Sequence, residues 1–400
     1  MNGGCHVPQG WWRITYNGSR ITSEGNPALN FSLTKDQRSV RDAARALSRA
    51  EKALREPHPA QDIHEIIKCL TGHGLMAMTV PKEYGGAGKD EVSHVLTLME
   101  ISKGSGSAGG VLVWNNSLYC SSILKYGKEG QKRKYLSLAA SGEKPGCFVV
   151  LGNGTPGDLR TSIVANGGDW RIRGEGSVFP CGLTYGIAAA VSHDGTSVTY
   201  VIIDLESSAG LRREESIEKG GIFFSGIAET LFENVRVSSE AILCGQDEVT
   251  NLIPSTLRES WLGVGALAAG IGQGTLEEVL DFVRTRHGSG QISQVVEWKL
   301  ADMGVELEVS ELLVLKAAWL KDHHKSYDKE AAGAKAFASE AAVKASLEGL
   351  QILGNRDPRR RISIEKRMRD AEMCRIYYST RERLGFVVAD HLCQGRMTES

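Results

Sequence analysis

The chain has 400 residues, 41% of them apolar and 24% charged, with a formal net charge of −1 and a pI near 6.8. This is enough chain for several structural units and a sizeable core, and the composition is that of a soluble globular protein. The charge balance excludes nucleic acid or an anionic membrane surface as the main partner, because both need a clustered basic excess.

The eight cysteines form no C-x-x-C pair and read as reduced thiols of a reducing compartment. No metal site is expected. His323 and His324 after Asp322 are adjacent on a helix and point about 100° apart. No apolar run is long enough to span a bilayer, and the first residues lack the pattern of a secretory signal, so the expected location is the cytoplasm.

Residues 1–31 read as an N-terminal extension, and residues 32–145 as a helical domain. Thr34 and Gln37 have capping-box spacing, and Val40, Ala44, Leu47 and Leu54 recur at roughly helical spacing before Pro57. A second helix carries Ile63, Ile66, Ile67 and Leu70 and ends at Gly72 or Gly74. Further helices are expected over 90–103, 108–127 and 129–141. Residues 146–243 change period. Short runs such as "CFVVL", "VTYVIID" and "ETLFENVRV", separated by Gly, Asn, Asp and Ser, predict an antiparallel β domain. From 244 to 400 the helical period returns over 247–287, 294–324, 328–353 and 364–393, which predicts a bundle.

Five stretches in order then carry a family resemblance: "GLMAMTVPKEYGGAG", "KYGKEGQKRKYLSLAASGEK", "ETLFENVRVS", "KLADM" and "QILGN" with "EKRMRDAEMCRIYYST". Together they resemble the acyl-CoA dehydrogenase family over about residues 32–390. The resemblance implies an α+β, mostly α fold: an N-terminal helical domain, a middle antiparallel β domain and a C-terminal four-helix bundle. It also implies FAD between the β domain and the bundle, a homodimer or homotetramer, and a carboxylate that removes the proton α to a thioester carbonyl. Such a base must sit against a weakly acidic proton in a dry slot, with an electron acceptor stacked over the reacting bond.

The chain departs from that pattern where the chemistry is done. The family's base lies in a Tyr-Glu-Gly-Thr stretch after an Arg-Asp pair. Here Arg369–Asp370 and Thr380 match, but Tyr378 holds the Glu position and Ser379 the Gly position. A second family location for the base falls on Ser260, with Glu259 one residue before it. On the flavin side, the resemblance sets Gly152, after Leu151, where the family has a Thr, and Val178, Phe179 and Pro180 where it has Trp-Ile-Thr or Trp-Ile-Ser. Cofactor-binding positions, mostly on the nucleotide side, persist at Arg286 (or Arg284), Gln294, Gln351, Gly354 and Thr380. "PRRRISIEKRMRD" reads as a solvated loop and helix, or as a contact for a CoA phosphate or the acidic helix of a carrier protein.

The resemblance therefore implies an FAD-dependent oxidoreductase acting on an acyl-CoA or acyl carrier protein thioester. It would belong to a specialised biosynthetic pathway and work without the usual Glu base. The alternative is a flavin-free, non-redox or non-catalytic paralogue serving as a binding or scaffolding subunit. If Tyr378 continued the last helix, Arg375 at i−3 would be the cation beside it.

Overall fold

The computed structural model describes residues 32–51, 54, 63–149, 161–166, 169–178, 183–192, 198–215, 228–244, 246–287 and 292–395. The N-terminal extension, Leu151, Gly152 and Phe179 lie outside these. Helix α1 (Lys35–Ala50) starts at the expected capping box, with Thr34 and Gln37 bonding each other's backbone at 3.2 and 3.0 Å. Then come α2 (Ile63–Gly72), α3 (Glu91–Gly104), α4 (106–126) and α5 (129–140). The middle of α4, Val113–Cys120, is wound as a π-helix, and all of its residues are buried. Asn115 and Asn116 on this segment donate to the carbonyls of Met76 and Leu75, and Asn115 accepts from Gly146 N at 2.9 Å. One buried asparagine thus ties a helix, a loop and the first strand together.

The strands are β1 (Gly146–Val149), β2 (Thr161–Asn166), β3 (Asp169–Val178), β4 (Tyr185–Ser192), β5 (Val198–Asp204), β6 (Leu211–Glu215), β7 (Ala228–Val237) and β8 (Ile242–Cys244). They form one sheet in the order β6-β7-β3-β2-β4-β5-β8, with β1 also on β4. The sheet is mixed: β1 and β2 run parallel to β4, and the other pairings are antiparallel. The strand pattern in the sequence carries the period but not the direction of a neighbour, so the expected all-antiparallel pairing needed this correction. Gly146 lies flat on the Tyr119 ring, where a Cβ would come within 2.2 Å of it. That close approach presses β1 against the π-helix.

The bundle comprises α6 (Gln246–His287), α7 (Gln294–Asp322), α8 (Asp328–Leu353), α9 (Pro358–Ile376) and α10 (Arg381–Gly395). Helix α9 begins with Asp357 as N-cap, its carboxylate accepting from Arg360 N, and Pro358 in the first turn. Gly354 ends α8 at φ 57°, ψ −135°, a conformation essentially confined to glycine. The single helix expected over 364–393 is broken: residues 377–380 separate α9 from α10. Ala-rich faces of α6 and α8 pack closely to form the bundle core, including Ala266, Ala269, Ala334, Ala338 and Ala342.

Candidate active site at the junction of α9 and α10

The break between α9 and α10 is built around Tyr378. Its φ of 56° is left-handed, an outlier for a bulky aromatic residue that costs on the order of 1–3 kcal/mol. Three side-chain interactions hold the backbone there. The Trp261 indole on α6 donates to Ser379 Oγ at 3.1 Å. Ser379 Oγ donates to the Tyr378 carbonyl. The ammonium of Lys335 on α8 donates to the Ser379 carbonyl. Within α9, Lys366 and Asp370 form a buried i,i+4 pair at 2.6 Å, and Lys366 also donates to the Ser107 hydroxyl on α4 at 3.3 Å.

Tyr378 is partly buried as a residue, but its hydroxyl is sealed from solvent and has no hydrogen-bond partner among the described residues. Burial pushes the phenol well above its ordinary pKa of 10, the Cys147 thiol adds to this, and the Trp114 indole opposes it weakly. Tyr378 therefore reaches the start of β1 and the π-segment of α4, where sheet and helices meet. Arg375 is not its neighbour. Because the helix stops at Ile376, the expected i−3 geometry is lost, and the Arg375 guanidinium bonds Glu340 and Glu372, both at 2.8 Å.

Glu259 lies elsewhere. It is two residues from Trp261, so the two side chains leave α6 on nearly opposite faces. Glu259 Oε2 pairs with Lys321 at 2.5 Å, and Oε1 accepts from the Tyr327 hydroxyl at 2.8 Å. Lys321 also pairs with Glu91 at 2.6 Å, and Glu91 with His94 at 2.9 Å. Burial opposes the charge on Glu91, but Lys321 and His94 prevail and hold its carboxyl well below the usual range. The structure does not bring Glu259 to Tyr378, and both of its carboxylate oxygens are engaged. Ser260 is buried and its hydroxyl donates to the Leu257 carbonyl at 2.6 Å. The Asp322 carboxylate accepts from Glu91 N and Val92 N, capping α3.

The nucleotide-side positions are exposed at the ends of bundle helices. Arg286 is near the end of α6 and Gln294 begins α7. Gln351, near the end of α8, accepts from Lys299 of α7 at 2.6 Å, close to Gly354. Thr380 is exposed, and its carbonyl accepts the first-turn bond of α10 from Leu384 N.

Sequence reasoning missed Lys335, Trp261 and Trp114. The signal for Lys335 was present: positions 331, 335, 338 and 342 follow core spacing on α8, and three of them are alanine. A lysine on that face needs a buried partner. Burial depresses its pKa from 10.5 to about 8, with a small opposing effect from Cys374. Below pH 8 the folded state carries the cost of a buried ammonium. Between 8 and 10.5 the folded lysine is neutral while the unfolded one still binds a proton, so stability rises with pH across that window. Measured against Lys335→Met by chemical denaturation, the wild type should gain about 2–3 kcal/mol between pH 7 and pH 10. A constant difference would show that Lys335 keeps its ordinary pKa and stays charged across this range.

The comparisons with known proteins agree with this architecture. Family models described as "Acyl-CoA dehydrogenase, N-terminal domain" and "Acyl-CoA dehydrogenase, C-terminal domain" match residues 34–143 and 250–393. The probable acyl-CoA dehydrogenase YngJ of Bacillus subtilis (strain 168) is 34% identical over 382 residues, 91% of this chain and 100% of the relative. The human mitochondrial short-chain specific acyl-CoA dehydrogenase is 35% identical over 339 residues, 82% of each. Butyryl-CoA dehydrogenase from Megasphaera elsdenii superposes with a TM-score of 0.83 at 25% identity, over 91% of this chain and 100% of that one. A glutaryl-CoA dehydrogenase from Mycobacterium smegmatis in complex with FADH2 (TM-score 0.80, 90% and 95% covered) and the prolyl acyl carrier protein oxidase AnaB (0.81, 90% and 100%) share the fold, each at 22% identity. The chain belongs to the acyl-CoA dehydrogenase family.

Proposed function

We propose that the protein is an FAD-dependent oxidoreductase of an acyl thioester, carried on CoA or a carrier protein, that works without a carboxylate base at the family position. The observation that supports the second half is the buried Tyr378 hydroxyl, at the position to which the family resemblance assigns the base. A phenol with a reference pKa near 10 is neutral at pH 7 and accepts no proton until it has ionised. Removal of that function from ordinary fatty-acyl desaturation supports a role in a specialised biosynthetic pathway. The cytoplasm suits the described cysteines Cys69, Cys120, Cys147, Cys374 and Cys393, which are free thiols.

FAD fits the described residues on its nucleotide side. Arg286 and Gln294 offer a cation and an amide at the facing ends of α6 and α7, and Gln351 and Gly354 stand at the end of α8. When bound, FAD supplies the two-electron acceptor, while Tyr378 would face the acyl group. The purified protein should show flavin absorbance when FAD is present, and the visible band should shift on adding acyl-CoA. A colourless protein that ignores added FAD would favour the flavin-free paralogue.

We also infer a homodimer or homotetramer. Trp298, Val305 and Leu312 are exposed at seven-residue intervals and make one apolar stripe along α7. Changing all three to Glu should reduce the sedimenting species to a monomer. A wild type that already sediments as a monomer at micromolar concentration would overturn this.

A further inference from the structure

We propose that Tyr378 is a specificity-determining residue whose hydroxyl selects acyl groups bearing an oxygen or nitrogen acceptor beyond the thioester carbonyl. The substrate class would then be a polar acyl thioester, not a plain hydrocarbon one. The inference rests on the acyl-thioester reading above and deepens it.

Two buried phenols carry the argument. Tyr378 Oη and Tyr119 Oη are both sealed from solvent, and neither O–H has an acceptor among the described residues, since the Trp114 indole beside Tyr378 can only donate. Both phenols lie within electrostatic reach of the Cys147 thiol near the start of β1. Tyr119 is fixed in place because Gly146 packs on its ring. Tyr378 is fixed because Lys335 and Trp261 hold Ser379, the next residue, in a backbone turn that an aromatic residue does not adopt unaided. Burial pushes both phenols up, so each keeps its proton throughout the physiological range and has an O–H to donate.

A native structure rarely leaves a buried hydroxyl without a partner, and such a group calls for an explanation. Here the hydroxyl at the family's catalytic position is held rigidly by groups on α6 and α8. A ligand atom that accepts its proton completes it. A ligand that offers only hydrocarbon leaves the donor as unmet as in the free protein, so a ligand that accepts its proton binds about tenfold to a hundredfold tighter by comparison.

The test compares binding by calorimetry for butyryl-CoA, α-hydroxybutyryl-CoA and β-hydroxybutyryl-CoA, using the wild type and Tyr378→Phe. The variant keeps the ring and so should keep the packing. The wild type should bind at least one hydroxyacyl thioester about tenfold or more tighter than butyryl-CoA, and Tyr378→Phe should bring the three together by weakening the hydroxyacyl ligand. Equal affinities in the wild type would overturn the proposal. So would a preference that survives Tyr378→Phe, which would point to Tyr119→Phe as the next variant. Binding of FAD with no binding of any thioester would overturn the acyl-thioester reading itself, and this proposal with it.

Discussion

Tyr378→Glu should raise the rate of α-proton removal from a saturated acyl-CoA by about thirtyfold or more. At the reference pKa of about 10, ionising a phenol at pH 7 costs about 4 kcal/mol. Against a buried glutamate raised to about pH 7, the phenolate is the stronger base by about three units, and a Brønsted slope of about one half returns roughly half of that cost, leaving about 2 kcal/mol, or about thirtyfold. Burial adds to the deficit, because it pushes Tyr378 further up while little opposes it. A glutamate in the same slot would also be raised by burial, so the variant's rate should climb with pH through that raised value and then level. The left-handed backbone is unchanged, since Lys335 and Trp261 still hold Ser379. The measurement is anaerobic bleaching of the flavin visible band by a panel of acyl-CoAs. Bleaching that is equally fast in wild type, Tyr378→Phe and Tyr378→Glu would mean that the base is some other group.

Lys321→Met should destabilise the protein by about 3–5 kcal/mol, the usual cost of breaking a buried ion pair from one side. Lys321 joins α7 to α3 through Glu91 and to α6 through Glu259, and Tyr327 supports the same Glu259. Burial alone would lower the Lys321 pKa, but Glu259 and Glu91 raise it well above its usual value. Removing it leaves two buried carboxylates with one cationic neighbour fewer. The wild type should also lose stability in acid. The Glu91 pKa is depressed in the folded state, so its contribution is complete above the ordinary carboxylate range and disappears as pH falls through the folded value. The double variant Lys321→Met/Glu259→Leu should recover part of the loss, since one uncompensated charge goes with it. A loss under about 1 kcal/mol in the single variant, by chemical denaturation, would show that water already screens the cluster.

The helical and β periods of the chain were legible because they depend on local spacing. The capping box at Thr34 and Gln37, the end of α2 at Gly72 and the long helices α6, α7 and α8 all follow from residues within a few turns of each other. The substitution at Tyr378 was legible for a similar reason, since it needs only position relative to Arg369, Asp370 and Thr380. Strand direction was not legible, because the partner of β1 is β4, far along the chain. Nor was the break at 377–380. Local propensity continues the helix through "RIYYSTRERL", and only Lys335 and Trp261, distant in sequence, pull Ser379 out of it. That one tertiary event moved Arg375 away from Tyr378 and buried the hydroxyl against Trp114 and Cys147. Glu259 shows the same limit: a shift of one residue on α6 turns a side chain by about 100°, and the packing of α3 and α7 against α6 puts the Glu259 carboxylate into an ion pair.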